Sequence, residues 1–397
     1  MTAMERLRIV IFGAGNIGRS FIAPIFTRGG YEAVFADVAP PVLAALSERD
    51  RYTLVERGDG REIRRTVTPV RGVDARNAEA LGAELEGARI CATCVGAAAL
   101  PSVMASIASA VRDRETTLDV ILAENLKGAA EMARSAFLDA GISRDDIDRR
   151  LGIVETSIGK MVPIMPADVA AADPLLCWAE PFNTLIVDRD GFSGPVPDIG
   201  DIQAVSPIAP WVARKLYIHN FGHAAAAYLG HAAHPEAAFI WEVLSDPRVA
   251  ERVEAVMRLS GRALRKEYPG AFSSEDIDGH VADLIRRFGN RALGDTLYRV
   301  GRDLGRKLQR RDRVVGALEL MRRHGMPTDE ARAVFRAALG FSAAGPEGAE
   351  DEVDRGIRLR TADPPAFLRE VVGIEASEEP ELSALLLEEL RGHAARS

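Results

Sequence analysis

The stretch LRIVIFGAGNIG, residues 7–18, decides the fold of the first half of the chain. Its first six residues, LRIVIF, have the pattern of a short apolar strand and run directly into a GxGxxG turn. In such a turn the first glycine permits the tight bend, the second lets a pyrophosphate approach, and the third lets the following helix pack on the strand. The pyrophosphate then lies at the N-terminus of that helix. The stretch therefore predicts a dinucleotide-binding strand, turn and helix.

An acidic residue after the next apolar run indicates which dinucleotide is bound. The run Tyr31–Ala36 ends in Asp37, about twenty residues beyond the glycines. A carboxylate at that place hydrogen-bonds the adenosine ribose and repels a 2′-phosphate, so we expect NAD rather than NADP. The alternative is an ordinary glycine loop beside an ordinary strand end. The predicted cofactor contacts are Gly13, Ala14, Gly15, Asn16, Ile17, Gly18, Asp37, Val95, Glu124 and Asn125.

Length and composition indicate two globular domains and a small substrate. The chain has 397 residues, of which 47% are hydrophobic and 27% charged, and its formal net charge is −8. This length suits two domains, each with its own core. The acidic balance argues against nucleic acid or an anionic membrane as the main partner. The apolar run after Arg8 stops at Gly13, which is too short for the core of a signal peptide.

The cysteines indicate a reducing compartment. Cys91, Cys94 and Cys177 are too few for a disulfide framework, so we expect a cytoplasmic protein. Cys91 and Cys94 form a CxxC pair within a strand-like run, and no second ligand pair follows at zinc spacing. Neither a metal site nor a redox site is expected there.

The pattern of apolar residues changes near residue 205. Before it, runs rich in Val and Ile alternate with amphipathic segments, which is typical of a parallel sheet with crossover helices. The expected strands are Arg8–Phe12, Tyr31–Ala36, Arg89–Val95, Leu118–Ala123 and Gly152–Glu155, with shorter pieces at Leu175–Trp178 and Thr184–Val187. After it, helical spacing dominates. We therefore predict an α/β Rossmann-type domain with a mainly parallel sheet over residues 1–205 and an all-α domain over 206–397, with the active site in the cleft between them.

A second informative stretch, RKLYIHNFGHAAAAYLG at residues 214–230, carries the candidate catalytic residues. It places Lys215, Asn220 and His223 within an arc of ~140° on a regular helix. Oxidation of a secondary alcohol needs a base for the hydroxyl proton and donors that hold the developing alkoxide. A lysine amine becomes such a base when desolvation and nearby positive charge lower its pKa from ~10.4. Asn220 would donate its amide, and His223 would hydrogen-bond the substrate or fix the geometry.

Each of the three residues also has a structural interpretation. Lys215 could extend its stem along an apolar surface, Asn220 could cap a turn, and His223 could be a core histidine. Their occurrence together, after a dinucleotide site, favours function. A metal site at His231, His234 and Glu236 is not expected, because the spacing matches no usual zinc pattern and a proline interrupts the helix.

These motifs resemble the polyol-specific long-chain dehydrogenase/reductase family and, within it, the enzymes that act on a phosphorylated mannitol. The matching segments are FGAGNIGRSFI, FADV, AENLKG at 123–128, RKLYIHNFGHAAAAYLG and RVGRDLGRKL at 299–308. The resemblance implies that Lys215 is the general base, that Asn220 and His223 stabilise the alkoxide, and that Asn125 contacts substrate. It also implies a metal-independent reaction that interconverts D-mannitol 1-phosphate and D-fructose 6-phosphate with NAD.

One segment departs from the family pattern. Where the family usually has an Asp-Arg pair before Val-Pro, this chain has Gly159-Lys160, and Phe221 stands where relatives often have a smaller residue. Both changes leave the identity of the polyol open. The alternatives are the same chemistry on an unphosphorylated hexitol or ketohexonate, or a non-catalytic protein that senses NADH.

Four basic residues are candidate phosphate ligands, because arginine in particular suits bidentate phosphate contacts. They are Arg299, Arg302, Arg306 and Lys307. The alternative is a solvated helix face. The sequence contains no clear partner-binding segment, and the resemblance suggests a monomer or small homo-oligomer.

Overall fold

The computed structural model describes residues 7–394, apart from 59, 113, 125–127, 164, 346, 347 and 349. The chain divides into two units between Val212 and Ala213, a few residues beyond the predicted boundary at 205. The first unit is α/β and the second is helical, which confirms the predicted fold class.

The first unit is built on strands. In chain order they are β1 (Arg8–Phe12), β2 (Glu32–Asp37), β3 (Tyr52–Gly58), β4 (Arg61–Val67), β5 (Val70–Asp74), β6 (Ile90–Thr93), β7 (Leu118–Leu122), β8 (Leu151–Ile158), β9 (Cys177–Ala179), β10 (Leu185–Asp188) and β11 (Ile202–Val205). Eight of them form one sheet in the order β11-β10-β8-β7-β6-β1-β2-β5. All its pairings are parallel except that between β8 and β10.

The central strand β1 shows why this sheet is buried on both faces. Ile9 and Ile11 pack into the core on one face, and Val10 and Phe12 pack into the core on the other. Because side chains alternate along a strand, a run that is apolar at every position fits only a sheet covered on both sides. The chain order reverses at β1, with β2 on one side and β6 on the other, and ligands of such sheets bind at this switch point.

Several strands were not predicted from the sequence. β3 and β4 form an antiparallel hairpin, to which β9 adds in parallel as a separate three-stranded sheet. β4, REIRRTV, is exposed at every position but its last, so it lacks the apolar signal. β11, IQAV, is not among the expected strands either. The predicted piece Leu175–Trp178 belongs to the small sheet rather than to the main one.

Helices complete the first unit and form the second. In the first unit they are α1 (Ala23–Arg28), α2 (Pro40–Glu48), α3 (Ala78–Glu86), α4 (Leu100–Val111), α5 (Ala129–Asp139), α6 (Arg144–Arg150) and α7 (Ala167–Ala172), with a π turn at Gly18–Ile22 and a 3₁₀ turn at Arg189–Gly191. The helix α8 (Ala209–Arg214) spans the division between the units.

The second unit consists of helices and helical turns. They are a π segment at Lys215–Asn220, α9 (Phe221–Ala233), α10 (Ile240–Val243), α11 (Pro247–Glu267), α12 (Ser274–Phe288), α13 (Leu297–Gly301), α14 (Leu304–Lys307), α15 (Arg313–Arg323), α16 (Asp329–Leu339), α17 (Glu352–Leu359), α18 (Pro364–Phe367) and α19 (Pro380–Ala394), with 3₁₀ turns at Arg291–Leu293 and Arg360–Ala362 and a π turn at Leu368–Val372.

Helix α9 is the centre of the second unit. Every residue from Phe221 to Leu229 except His223 is buried, and the helix packs against α11, α13 and α16. At Gly222 a Cβ would lie 2.3 Å from Sδ of Met257, so glycine is required for α9 and α11 to approach this closely. Within the described part of the chain, no helix combines the length and the apolar character that crossing a bilayer requires.

Candidate active site

In the glycine turn after β1, two glycines are packed too closely for a side chain, and the third faces open space. Gly13 has φ +93°, and a Cβ there would lie 2.7 Å from the carbonyl oxygen of Cys94. A Cβ at Gly18 would lie 2.2 Å from the carbonyl oxygen of Gly13. Gly15 is exposed, and a Cβ there would meet nothing within 4 Å. The first and third glycines are therefore required by the fold, whereas the second leaves room for a ligand.

Asp37, at the end of β2, is fixed beside this turn. Its Oδ2 accepts a hydrogen bond from the backbone N–H of Ala14 at 2.6 Å, and its Oδ1 accepts from Val38 and Ala39 at 2.7 and 2.8 Å. An ionised carboxylate can accept about four hydrogen bonds, so one site remains for a ribose hydroxyl. The carboxylate also places negative charge where a 2′-phosphate of NADP would lie.

Two other predicted cofactor contacts lie at the carboxyl ends of β6 and β7. Glu124 is buried, and its carboxylate accepts hydrogen bonds from Thr93 Oγ1 at 2.6 Å and from Val95 N at 3.2 Å. Burial raises the pKa of Glu124, and these hydrogen bonds oppose the shift. Glu124 thus ties the two strand ends together. Asn125, predicted to contact cofactor and substrate, lies outside the described residues.

In the second unit, Lys215 begins the π segment that leads directly into α9. Hydrogen bonds from residue i to i+5 put about 4.4 residues in a turn, so the chain advances about 82° per residue instead of 100°. Five such steps leave Asn220 about 50° from Lys215, whereas a regular helix would leave it about 140° away. Three α-helical steps then bring His223 to within about 10° of Lys215. All three side chains therefore share one narrow face of the helix, which the regular helix assumed from the sequence would not provide.

The π segment is stabilised by a side chain from α11. The backbone N–H of Phe221 donates to the carbonyls of Leu216 and Ile218 and skips Tyr217, its partner in a regular helix. Ser260, which is fully buried, donates its hydroxyl to the Tyr217 carbonyl at 2.6 Å. The hydroxyl thus compensates for the hydrogen bond that the π geometry removes.

The surroundings of Asn220 and His223 suit a polar ligand. Asn220 is 8% exposed, and its carboxamide has no hydrogen-bond partner among the described residues. The ring of His223 stacks on Phe288 with centroids 4.6 Å apart. Its Nε2 lies 3.3 Å from Oδ2 of Asp295, although the two atoms do not form a well-aligned hydrogen bond. Asp295 could not be identified from sequence motifs, because it lies 72 positions after His223 and outside any recognised motif.

Histidines near Lys215 are kept neutral. Burial lowers the pKa of His223, which Asp295 partly offsets, and burial lowers that of His219 far more strongly. Burial also depresses the pKa of His280, and the cations Arg214, Arg287 and Lys215 add to this effect. Lys215 thus lies close enough to His219, His223 and His280 for its positive charge to lower the pKa of each ring.

Three of the four predicted phosphate ligands are engaged within the protein. Arg299 pairs with Asp295, and Arg306 pairs with Asp303 at 2.6 Å. Lys307 is buried, and its amine donates to the carbonyls of Val300 and Arg302. Burial lowers the pKa of Lys307 to about 7.

Arg302 differs from these three residues. It is exposed, its guanidinium carbon lies 5.6 Å from the centre of the Tyr298 ring, and it has no carboxylate partner among the described residues. The next residue, Asp303, has φ +71°, an uncommon conformation for a residue other than glycine. Asp354 accepts hydrogen bonds from the N–H groups of Asp303 and Leu304, so the turn that presents Arg302 is fixed.

The segment that departs from the family pattern lies in the first unit. Lys160 is buried there, and its amine donates to the carbonyl of Glu180 at 2.7 Å and to Oδ1 of Asn183 at 3.1 Å. Asn183 in turn donates to Glu56 at 3.2 Å. Lys160 is thus part of a buried polar network.

The described residues contain no group of three or more His, Cys, Asp or Glu side chains that could hold a metal ion. His234 lies 3.0 Å from Asp246 and His231 lies 3.3 Å from Ser342, so the two residues have separate partners. Cys91 packs into the core on one face of the large sheet and Cys94 against the other.

Two family profiles match the chain. One, described as the mannitol dehydrogenase Rossmann domain, matches residues 7–201, and the other, described as the mannitol dehydrogenase C-terminal domain, matches residues 207–344. Mannitol-1-phosphate 5-dehydrogenase of Bacillus licheniformis is 35% identical over 312 residues, which cover 77% of this chain and 80% of the relative. The enzyme of the same name from Bacillus subtilis is 31% identical over 390 residues, which cover 96% of this chain and 98% of the relative.

Solved structures share the fold. Mannitol 2-dehydrogenase of Pseudomonas fluorescens, in a ternary complex with NAD and D-mannitol, has a TM-score of 0.76 at 19% identity, covering 97% of this chain and 91% of that chain. A substrate-free D-sorbitol dehydrogenase has a TM-score of 0.76 at 17% identity, covering 96% and 91%. These likenesses show a common fold for the whole chain.

The glycine turn yields a paired test. Gly18→Ala should lower the free energy of unfolding by about 1–3 kcal/mol, because the new methyl group overlaps the Gly13 carbonyl. Gly15→Ala should leave stability unchanged or slightly raised but weaken NADH binding at least about tenfold, since its methyl group occupies the space left for a pyrophosphate. Denaturant unfolding and NADH fluorescence titration measure the two effects. Unchanged NADH affinity in Gly15→Ala would contradict this assignment.

The π segment yields a second prediction. Ser260→Ala removes the hydrogen bond to Tyr217 and should cost about 1 kcal/mol of stability. A return towards α geometry would shift Lys215 away from Asn220, so kcat should fall about 10- to 100-fold, as small misplacements of catalytic groups do. The matched control is Ser383→Ala, which removes a buried hydroxyl without a hydrogen-bond partner from α19 and should leave kcat unchanged. Equal kcat in both variants would rule out a role for Ser260 in catalytic geometry.

Proposed function

The chain belongs to the mannitol dehydrogenase family, and from this premise we propose that it interconverts D-mannitol 1-phosphate and D-fructose 6-phosphate with NAD. The observation that carries the proposal is the common face of Lys215, Asn220 and His223 on the π segment and α9. Relatives that cover most of the chain at 31–35% identity bear the name mannitol-1-phosphate 5-dehydrogenase, which supports this substrate.

The residues of the glycine turn suit NAD. Gly15 has open space where a side chain would stand, and Asp37 has hydrogen-bonding capacity left for a ribose. We assign the adenosine ribose to Asp37 and the pyrophosphate to the turn at residues 13–18, with Val95 and Glu124 nearer the nicotinamide end. When bound, NAD supplies the acceptor for the hydride that leaves the alcohol carbon.

Lys215 acts as the general base in this proposal. Its Nζ accepts the proton of the hydroxyl group that is oxidised, and it returns the proton when the ketone is reduced. This step needs the uncharged amine, which desolvation and a nearby positive nicotinamide ring would favour. The carboxamide of Asn220, which lacks a protein partner among the described residues, donates a hydrogen bond to the developing alkoxide. His223 orients the substrate from the same face.

For the phosphate we propose Arg302 as the principal ligand. Its guanidinium is exposed, has no carboxylate partner among the described residues and extends from a fixed turn. Arg299 and Arg306 add positive charge, although each is already paired with an aspartate. Lys307 supports the turn by donating to the carbonyl of Arg302.

A second candidate keeps the mechanism and changes the substrate to an unphosphorylated hexitol or ketohexonate. The observation that favours it is the engagement of three of the four basic residues within the protein. This chain also has Gly159-Lys160 where the family usually has an Asp-Arg pair, and this change could alter which polyol is bound. We further propose a cytoplasmic monomer or small homo-oligomer, in keeping with three free cysteines.

Steady-state kinetics distinguish the two substrates. We expect NADH oxidation at 340 nm with fructose 6-phosphate and at least about 10²-fold lower kcat/KM with fructose or ketohexonates, since charged hydrogen bonds to phosphate are worth about 1.5–3 kcal/mol each. Arg302→Ala should raise KM for fructose 6-phosphate about 10- to 100-fold with kcat nearly unchanged.

Arg306→Ala is the matched comparison. Its guanidinium already pairs with Asp303, so its removal should raise KM less than the removal of Arg302. Activity with unphosphorylated ketoses alone would exclude the phosphorylated substrate. If the enzyme is active with fructose 6-phosphate and Arg302→Ala does not change the KM for this substrate, the proposed reaction stands. Arg302 is then excluded as the phosphate ligand.

A further inference from the structure

Asp295 is a buried carboxylate to which the proposed reaction gives no role. Its side chain is 4% exposed, and its backbone carbonyl accepts a hydrogen bond from Ile240 N at 2.9 Å. Its Oδ1 pairs with Arg299, and its Oδ2 faces Nε2 of His223 at 3.3 Å. Burial opposes ionisation, but the contacts with His223 and Arg299 hold the pKa of Asp295 below its usual range. Asp295 is therefore ionised and can only accept hydrogen bonds.

The ring of His223 is fixed by its neighbours. It stacks on Phe288 with an angle of 7° between the planes, which sets the orientation of the imidazole. Nε2 is buried on the side of Asp295, so Nδ1 is the nitrogen left for a ligand. Burial keeps the ring neutral, with one N–H group and one nitrogen that accepts. Contacts of this kind are often long in a ligand-free protein and shorten when substrate binds.

We propose that Asp295 is a positioning residue that fixes His223 as the tautomer with hydrogen on Nε2, so that Nδ1 accepts a hydrogen bond from a hydroxyl group of the polyol. The inference rests on the proposed function for the identity of the ligand, but the tautomer itself does not depend on it. In this proposal Asn220 and His223 have different roles. Asn220 donates to the developing alkoxide, and His223 accepts from a hydroxyl group.

This assignment modifies the role that family resemblance implies for His223. A neutral imidazole with hydrogen on Nε2 has no donor at Nδ1 and cannot stabilise an alkoxide there. It can select a polyol, because each hydroxyl of a polyol is a donor as well as an acceptor. A substrate that lacks the matching hydroxyl group would leave Nδ1 without a partner, which costs binding free energy.

Other charged and titratable groups around His223 act against its protonation. Lys215 from the π segment and Arg299 from α13 both lower the pKa of His223, and the neutral ring of His219 lies 6.5 Å away, centroid to centroid. Asp295 is the acid that opposes them. Replacement of Asp295 by a neutral group should therefore lower the pKa of His223 further, so that the ring stays neutral and only the tautomer changes.

Nitrogen NMR of the histidine side chains tests the proposal. In wild-type protein labelled with ¹⁵N-histidine, His223, assigned by comparison with His223→Gln, should show a protonated Nε2 and an unprotonated Nδ1 at neutral pH. In Asp295→Asn the amide can donate to Nε2, so the proton should move to Nδ1. The kcat and the kcat/KM for the polyol should then fall about 10-fold, because Nδ1 carries a hydrogen and no longer accepts the hydrogen bond of the substrate hydroxyl, while the KM for NADH is unchanged.

The wild-type spectrum decides the question even if Asp295→Asn does not fold. A proton on Nδ1 of His223 in wild type would overturn the proposal, as would an unchanged tautomer and kcat in the variant. Glu389→Gln is the matched control, because it neutralises a buried carboxylate that pairs with Arg332 and Arg336 on α16. It should lower stability without altering the His223 tautomer or kcat.

The two levels of the proposal fail in different ways. If fructose 6-phosphate is not a substrate but the proton is on Nε2 in wild type and moves in Asp295→Asn, only the proposed function is wrong. If fructose 6-phosphate is turned over but wild type carries the proton on Nδ1, only the role of Asp295 is wrong.

Discussion

A single skipped hydrogen bond in the second unit sets the geometry on which the proposed chemistry depends. The N–H of Phe221 donates to Leu216 and Ile218 but not to Tyr217, and the hydroxyl of Ser260 donates to the Tyr217 carbonyl instead. The extra residue in the turn rotates Asn220 towards the face of Lys215. A spacing of five residues, which separates two side chains on a regular helix, here brings them together. π segments recur at functional sites for this kind of reason.

In the first unit, the glycine turn likewise uses close backbone contacts to fix groups that can bind a ligand. At Gly13 and Gly18 a side chain would collide with backbone, so these positions are determined by packing. At Gly15 a side chain would not collide with any part of the protein, so the absence of a side chain there is explained by the space that a ligand needs. Asp37 then connects the turn to the end of β2 through the N–H of Ala14. In both units, close backbone contacts fix the positions of groups whose own side chains remain available for ligands.

The sequence predicted what depends on local patterns and missed what depends on distant partners. β1 and its glycine turn were predicted because an apolar run followed by GxGxxG is compatible with few structures other than a strand and a tight turn. β4 was missed because an exposed strand of charged residues carries no apolar period, and it is formed by pairing with β3. The two-unit α/β and all-α arrangement followed from the change in periodicity near residue 205, and the structure confirms it.

The residues of the candidate site likewise fall into those found from local sequence patterns and those that depend on distant contacts. Lys215, Asn220 and His223 were found from spacing and resemblance, but the π segment was not, because it keeps the apolar pattern of a helix and alters only the backbone hydrogen bonds. Ser260 and Asp295 act through contacts with residues 43 and 72 positions away, which no local motif reports. The burial of Lys307 also depended on packing, since its sequence neighbours are basic and polar.

The central claim is that Lys215 is the base, and replacement by two different residues tests it most directly. Lys215→Ala removes the amine, and Lys215→Arg keeps a positive charge that cannot be deprotonated in a protein. We predict that both variants lose kcat by about 10²- to 10⁴-fold and still bind NADH, while Lys266→Ala, on the exposed end of α11, retains full activity. Substantial turnover by Lys215→Arg would contradict the account, because charge alone would then explain the role of this residue.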